Sequence, residues 1–162
     1  MTAINAFKIK EFDLNIFIFC ILGGGAELSL APDLRVFSET QGKLSFVQAK
    51  MGLMPGWGGA TRLKNLVGTS KALHLLLSCQ TIDSKSAVNF GLCDKVFNEG
   101  DLLDQTHQWL SKLVQHEPEV IIAIKNSVNF VDSQSLENER RLFAPLWNGP
   151  ANREALRKNL KH

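Results

Sequence analysis

The sequence predicts an α/β fold in which a mixed half of short strands and helices, residues 22–100, precedes an all-helical half, residues 101–162. Three observations predict this division. An apolar segment at 14–22, rich in β-branched and aromatic residues, leads into three glycines at 23–25. Short apolar runs bounded by turn residues then alternate with helical patterns. In the last third of the chain the apolar residues follow helical spacing alone, so no further strand is expected.

Composition and charge narrow the class of protein. The 162 residues are 44% hydrophobic and 21% charged, which is typical of a globular chain the size of one domain. A net charge of +2 gives no reason to expect a nucleic-acid partner. The apolar segment at 14–22 is too short to cross a bilayer, which takes about 20 residues, so no membrane association is predicted. Three cysteines without C-x-x-C spacing predict reduced thiols and a cytosolic location.

The first predicted elements are short. The segment at 14–22 predicts one buried strand, and the glycines after it lead into a short helix at 26–31, which Pro32 ends. Two further strands are predicted at 34–37 and 44–47, joined by a polar turn.

A glycine-rich loop at 55–59 is predicted to precede a helix at 60–66, which Gly68 closes. Either Thr69 or Ser70 is expected to cap the helix that follows, because a hydroxyl can accept a hydrogen bond from a free N–H of the first turn.

The next helix has signals at both ends. Asp83 is expected to cap it and Gly91 to stop it. A strand at 95–97 and a turn at 98–100 close the mixed half of the chain.

Four helices are predicted in the second half. Asp101 is a candidate cap for the first, and Pro118 suits the first turn of the second. The last two are expected at 134–147 and 150–160. Basic side chains gather here, and they form either a solvated helix face or a site for a polyphosphate ligand. They are Arg140, Arg141, Arg153, Arg157, Lys158 and Lys161.

The glycines at 23–25 predict a site for an anionic oxygen. Glycine lets a ligand approach the backbone, and the first N–H groups of a helix have no partner within it. Glu27 lies about one helical turn after Gly24, so its carboxyl group can reach the same place. Close packing of the glycines is the alternative reading of this motif.

Other chemistries find little support. The four histidines are scattered, and no H-x-x-x-H or C-x-x-C spacing predicts a metal site. No serine lies in a G-x-S-x-G elbow, and no complete phosphate-binding loop is present.

Several motifs in order resemble one family. GGGAELSLAPDLRVFSETQGKLSFVQAKMGLMPGWGGATRL, at 23–63, resembles the core of the enoyl-CoA hydratase/isomerase, or crotonase, superfamily, and the resemblance continues through TIDSKSAVNFGLCDKV at 81–96. EPEVIIAIKNSV and LWNGPANREAL are similar to the ethylmalonyl-CoA decarboxylase branch of that family. The resemblance implies a ClpP/crotonase fold, here truncated to a partial β-β-α spiral core with carboxyl-terminal helices. It also implies an acyl-CoA thioester as substrate, no cofactor or metal beyond the coenzyme A of the substrate, and homotrimers or hexamers.

The same resemblance assigns roles to particular residues. Gly24 matches the residue whose backbone N–H forms one half of the family's oxyanion hole, and Glu27 matches the first of two catalytic acids. Gln48 stands where the second acid is expected. The substrate-binding positions that it implies are Gly23, Gly25, Met54 and Trp57.

Glutamine at position 48 argues against hydration, because an amide has no ionisable proton and cannot serve there as a general acid or base. A malonyl-type thioester carries its own carboxylate, which an uncharged Gln48 would not repel. Loss of carbon dioxide from such a thioester leaves an enolate that an oxyanion hole stabilises. Glu27 is then the candidate to supply a proton to carbon, or to position a water that does.

Compared with the family, the chain lacks the first half, including the segment that provides the second oxyanion N–H, and residues 1–21 do not resemble the family's strand before the glycines. We therefore expect a truncated isoform or an incomplete gene model, with weak or no activity. Three functions stay open: a decarboxylase, an inactive fragment that serves as an assembly or regulatory partner, and a hydratase or isomerase in which another acid replaces Gln48.

Overall fold

Seven short strands occur in the described part of the chain. The computed structural model describes residues 4–9, 12–17, 20–98, 100–129 and 135–157, and at 4–9 and 12–17 it describes the backbone alone. The strands are β1 (Ile4–Ile9), β2 (Phe12–Phe17), β3 (Cys20–Leu22), β4 (Leu34–Ser38), β5 (Lys43–Ser45), β6 (Ile82–Asp83) and β7 (Lys95–Phe97).

The strands form two sheets. In the first sheet the order is β1-β2-β4-β7, where β1 and β2 are antiparallel and the other two pairs are parallel. In the second sheet the order is β3-β5-β6, with β3 parallel and β6 antiparallel to β5. The parallel pairing of β3 and β5 brings the end of β3 beside the residues that follow β5, and this juxtaposition positions the candidate site.

The helices follow the predicted order. They are α1 (Gly24–Leu28), α2 (Gly59–Val67), α3 (Thr69–Ser78), α4 (Ser84–Phe90), α5 (Leu102–Leu113), α6 (Pro118–Asn129), α7 (Ser135–Phe143) and α8 (Pro150–Arg157), together with a short 3-10 helix at Gln48–Met51. Among the described residues, no strand occurs after β7, as the sequence predicts.

The chain divides into two compact units, Met1–Trp109 and Leu110–His162. A hydrophobic core fills the first unit, where the second sheet packs against the helices that follow it. Its largest fully buried members are Ile21, Phe37, Leu44, Phe46, Leu63, Leu75, Ile82 and Leu92. In the second unit α6 and α7 contact each other.

Local capping signals are confirmed at several helix ends. The Asp83 carboxylate accepts a hydrogen bond from the Ser86 N–H at 2.8 Å and caps α4, and Gly91 ends that helix in a left-handed conformation. Asp101 accepts from the Asp104 N–H at 2.9 Å at the start of α5. Pro118 is the first residue of α6, as expected.

One prediction about strands needs correction, and the pairing of two further strands is a finding on which the sequence makes no prediction. The single strand expected at 14–22 occurs as β2 and β3, which belong to different sheets. The neighbouring strands β4 and β5 also lie in different sheets, so the turn between them does not form a hairpin. Strand β4 pairs with β2 and β7, whereas β5 pairs with β3 and β6, and strand propensity carries no information about such partners.

Two predictions about helix ends are also wrong. Neither Thr69 nor Ser70 caps α3, because Gly68 is both the residue that ends α2 and the N-cap of α3, with no side-chain cap. The helix predicted at 134–147 ends at Phe143, and Pro145 follows in a turn because proline has no N–H to continue the helix. Position 134, the end of α8 predicted at 158–160 and part of the turn at 98–100 lie outside the described residues.

Candidate active site

The glycine triplet stands at the junction between β3 and α1. Gly23 adopts φ 58°, and its N–H donates a 3.0 Å hydrogen bond to the Ser45 carbonyl at the end of β5. The first intrahelical bond runs from the Glu27 N–H to the Gly23 carbonyl. The N–H groups of Gly24 and Gly25 therefore belong to the unpaired first turn of α1, as the sequence predicts.

Glu27 is buried, with only 2% of its surface exposed, and its two carboxylate oxygens accept four hydrogen bonds. Oε1 accepts from Gln48 Nε2 at 2.7 Å and from the Gly56 N–H at 3.4 Å. Oε2 accepts from the Trp57 N–H at 2.7 Å and from the Gly59 N–H at 3.0 Å. These donors offset the cost of removing a carboxylate from water.

Gln48 begins the 3-10 helix that follows β5, and it is 6% exposed. Its amide nitrogen faces Glu27, so its amide oxygen points elsewhere. That oxygen is buried and has no hydrogen-bond partner among the described residues. The two positions that the sequence singles out as acid sites are thus in direct contact, although 21 residues separate them.

The loop at 55–59 covers this pair. The indole ring of Trp57 lies against the backbone of Gly24, where a Cβ atom would come 2.7 Å from ring carbon Cε3 and 3.0 Å from Cη2. A Cβ atom at Gly59 would likewise come 2.8 Å from Glu27 Oε2. Both glycines therefore permit contacts that no other residue would allow.

The structure brings together most of the predicted site residues but not all of them. Gly24, Glu27, Gln48 and Trp57 form one contiguous group. Met54 precedes this loop, and its side chain is 76% exposed. Gly23 lies near Val47, the residue before Gln48, because a Cβ atom built at Gly23 would be 3.7 Å from Val47 Cγ2.

Sequence reasoning missed three contributors. Arg62 Nη1 donates a 2.6 Å hydrogen bond to the Trp57 carbonyl. The Trp57 and Gly59 N–H groups hold the Glu27 carboxylate. The glycines of the loop were the signal available, because glycine at a strand-to-helix loop often marks a close approach of the backbone to another group.

Other candidate groups contribute no second site. Burial raises the pKa of the Cys93 thiol to about 11, which makes its reactive thiolate scarce at neutral pH. All three cysteines are free thiols. Within the described ranges, no cluster of histidine, cysteine or acidic side chains could hold a metal ion. In the same residues, no helix has the length and hydropathy to cross a membrane.

The basic residues near the carboxyl end are partly engaged in local contacts. Arg140 lies 3.3 Å from Glu137 and Arg157 3.9 Å from Glu154, each within one exposed helix turn. Arg153 donates to the Asn148 carbonyl at 2.9 Å. These contacts favour a solvated helix face over a polyphosphate site; Lys158 and Lys161 lie outside the described residues.

Known proteins are similar to this chain in both sequence and fold. The enoyl-CoA hydratase/isomerase family model matches residues 20–161. Ethylmalonyl-CoA decarboxylase of Mus musculus is 41% identical over 148 residues, which are 87% of this chain and 46% of the mouse protein. The chain thus spans about half the length of the curated relatives it matches.

Solved structures agree with the sequence match. Enoyl-CoA hydratase subunit I from Geobacillus kaustophilus superimposes with a TM-score of 0.77 at 28% identity, covering 88% of this chain and 58% of that one. An enoyl-CoA hydratase from Thermobifida fusca, solved with acetoacetyl-CoA, superimposes with a TM-score of 0.72 at 24% identity over 82% of this chain and 54% of that one, a likeness of fold alone. With its α/β fold and a family match over residues 20–161, this chain belongs to the enoyl-CoA hydratase/isomerase family, the crotonase superfamily.

Proposed function

We propose that this chain acts on an acyl-CoA thioester and that its reaction is the decarboxylation of a malonyl-type thioester such as ethylmalonyl-CoA or methylmalonyl-CoA. The observation that carries the proposal is the buried Gln48 amide, which donates to Glu27 at 2.7 Å where the family resemblance leads one to expect a second acid. The similarity to ethylmalonyl-CoA decarboxylases supports the same reaction.

The charge at position 48 is the reason for favouring decarboxylation. A carboxylate there would lie within hydrogen-bond distance of Glu27, and two such acids cannot both stay ionised without a large cost. It would also repel the carboxylate of a malonyl-type substrate. The Gln48 amide avoids both effects, since it is neutral and keeps an N–H donor toward Glu27.

The reaction begins when the bond between the α-carbon and the carboxylate breaks. Carbon dioxide leaves, and the electron pair moves through the α-carbon to the thioester oxygen, which becomes an enolate oxygen. The Gly24 N–H is the donor proposed for that oxygen, and one well-placed donor stabilises such a charge by roughly 3 to 4 kcal/mol. Water then protonates the α-carbon, and the hydroxide left behind combines with carbon dioxide as bicarbonate.

Glu27 has two proposed roles, as a proton source or as the group that positions a water. Its hydrogen bonds favour a third role, the positioning of protein groups around Gly24, because all four partners are N–H donors of the protein and both oxygens are engaged. A carboxylate so surrounded is an acceptor, and it fixes the Gln48 amide and the covering loop beside Gly24. No cofactor is proposed beyond the coenzyme A of the substrate, and the cytosol is the proposed location.

An assay with two substrates tests this function. The purified chain is incubated with ethylmalonyl-CoA and with crotonyl-CoA, and carbon dioxide release and hydration are measured. Only one oxyanion donor is assigned in this chain, and loss of one donor typically costs roughly 100- to 1,000-fold in rate. We therefore expect slow decarboxylation of ethylmalonyl-CoA and no hydration of crotonyl-CoA.

Two variants make the assay specific. Gln48→Glu is expected to slow decarboxylation by about 10-fold or more, because it places a second acid beside Glu27. Gln115→Glu adds the same charge at an exposed position of the second unit and is expected to leave the rate unchanged. Hydration of crotonyl-CoA faster than decarboxylation, or equal rates for both variants, would refute the proposed reaction.

A further inference from the structure

The backbone of Trp57 is held from two sides. Its N–H donates to Glu27 Oε2 at 2.7 Å, and its carbonyl accepts from Arg62 Nη1 at 2.6 Å. Both bonds involve an ionised side chain, and such bonds are roughly twice as strong as neutral ones. The peptide groups on either side of the Trp57 side chain are therefore fixed by residues of two different helices, α1 and α2.

The loop conformation depends on the same arginine. Gly58 follows Trp57 with φ 82°, in the left-handed region that favours glycine. A Cβ atom at Gly58 would lie 2.8 Å from Arg62 Nη1, so the guanidinium group packs against the backbone there. Arg62 thus contacts the loop at two successive residues and limits the positions that the Trp57 ring can take.

The benzo part of the Trp57 ring lies against Gly24, and more than half of the residue is exposed. Trp57 is 61% exposed, although its backbone is fixed and its ring lies against Gly24. A rigidly placed, exposed indole is a typical wall of a ligand site, because it offers a large apolar area at little cost in conformational entropy. An acyl group whose oxygen reaches the Gly24 N–H would have this ring beside it.

We infer that Arg62 is a positioning residue, which together with Glu27 holds the Trp57 indole where it limits the bulk carried by the α-carbon of the acyl thioester. This inference rests on the proposed function, since it places the thioester oxygen at Gly24. The inference adds a determinant of acyl-group selectivity to that function. The hydrogen bonds of Arg62 and Glu27 to the Trp57 backbone, here called the clamp, decide which acyl groups fit, although Arg62 does not touch the reacting atoms.

Binding of unreactive thioesters tests the inference without any turnover. Affinities of the full chain for butyryl-CoA and for 2-propylpentanoyl-CoA, whose α-carbon carries more bulk than that of ethylmalonyl-CoA, are measured by calorimetry. A poorly fitting methylene in a binding pocket changes discrimination by about 10-fold or more. The unchanged chain is expected to prefer butyryl-CoA by at least about 10-fold, and Arg62→Met and Trp57→Ala are expected to reduce this preference to about 2-fold.

Two control variants and two further measurements separate positioning from folding. Lys64→Met removes a charge from an exposed position of the same helix and is expected to keep the preference. Arg62→Lys retains one charged donor and is expected to restore part of it. Circular dichroism checks that each variant is folded. The fluorescence of Trp57 is obtained by subtracting the spectrum of Trp57→Phe, and its quenching by acrylamide is expected to rise in Arg62→Met but not in Lys64→Met.

The outcomes distinguish this inference from the proposed function. Equal preferences in Arg62→Met and Lys64→Met, or no binding of either thioester, would overturn the role of Arg62. If the preference falls in Arg62→Met while ethylmalonyl-CoA is not decarboxylated, the inference stands and the proposed reaction fails. Decarboxylation with a preference that no variant alters supports the reaction and rejects the clamp.

Discussion

Glu27 shows how a single buried acid can organise several segments of a chain. Its carboxylate joins the 3-10 helix through Gln48 and the covering loop through Trp57 and Gly59. A buried carboxylate that loses its hydrogen-bond donors destabilises the folded state, so removal of any one donor is costly even when the others remain. The sequence predicts that Glu27 lies near Gly24, because helical spacing is local. The resemblance places Gln48 in the same site, but the direct hydrogen bond between the two side chains depends on the parallel contact of β3 with β5.

The approach of Gly59 to Glu27 leads to a prediction about stability. In Gly59→Ala the added methyl group would come 2.8 Å from Glu27 Oε2, closer than atoms normally approach, so the loop or the acid must shift. Overpacking of this kind typically costs about 1 to 3 kcal/mol. We expect the free energy of unfolding to fall by that amount in urea titrations followed by circular dichroism.

Gly56→Ala is the matched control for this variant. Gly56 belongs to the same loop, but nothing lies within 4 Å of the position that its Cβ atom would take. The substitution also restricts the unfolded chain, so its effect on the free energy of unfolding is expected to be small. Equal losses in the two variants would mean that the contact with Glu27 is not the cause.

At the scale of elements, helix α4 depends on its ends. Asp83 accepts the Ser86 N–H at 2.8 Å, and Gly91 turns the chain out of the helix with φ 82°. The hydrogen bond from the Ser86 backbone N–H lowers the pKa of Asp83 below its usual 3.8. Because the folded state favours the ionised carboxylate, the stability from this cap is present above pH 3.8 and is lost as the pH falls through the lower, folded-state pKa.

Replacement of Asp83 tests the cap and its dependence on pH. Asp83→Ala is expected to lower the free energy of unfolding by about 1 kcal/mol at pH 7. The difference from the unchanged chain should shrink when the pH is lowered below 3.8. Thermal unfolding at pH 7, 5, 3.5 and about 2.5 measures this. Asp83→Asn keeps an uncharged cap, so its free energy of unfolding at pH 7 should fall much less than that of Asp83→Ala. If the difference in stability between Asp83→Ala and the unchanged chain does not depend on pH, the ionised carboxylate is not the cap.

The elements also show which parts of the fold can be predicted from the sequence and which cannot. The ends of α4 and the start of α5 are predicted correctly, because a capping aspartate or a terminating glycine acts on the residues next to it. The predicted cap of α3 is wrong, because Gly68 both ends α2 and is the N-cap of α3, so that Thr69 lies inside the first turn. The arrangement of β4 and β5 in separate sheets depends on partners far along the chain, which local patterns do not encode.

At the scale of the whole molecule, many apolar side chains remain on the surface. In the first unit Leu73 and Leu77 lie four residues apart on one face of α3, and they are 53% and 73% exposed. Exposed apolar residues that lie together often mark a surface that associates with another molecule. The resemblance to the crotonase superfamily implies homotrimers or hexamers, and this surface is a candidate contribution to such self-association.

Self-association through α3 is therefore the prediction at this scale. The chain has a mass of 18.0 kDa, and we expect sedimentation to give an average mass that exceeds this value and rises with concentration. Leu77→Glu should shift the average mass toward the monomer, because a charge at the contact must lose its water on association. Asn65→Glu adds the same charge at an exposed position of α2 without removing an apolar side chain, and it should change little. A mass of 18.0 kDa at every concentration would show that this face stays in contact with solvent.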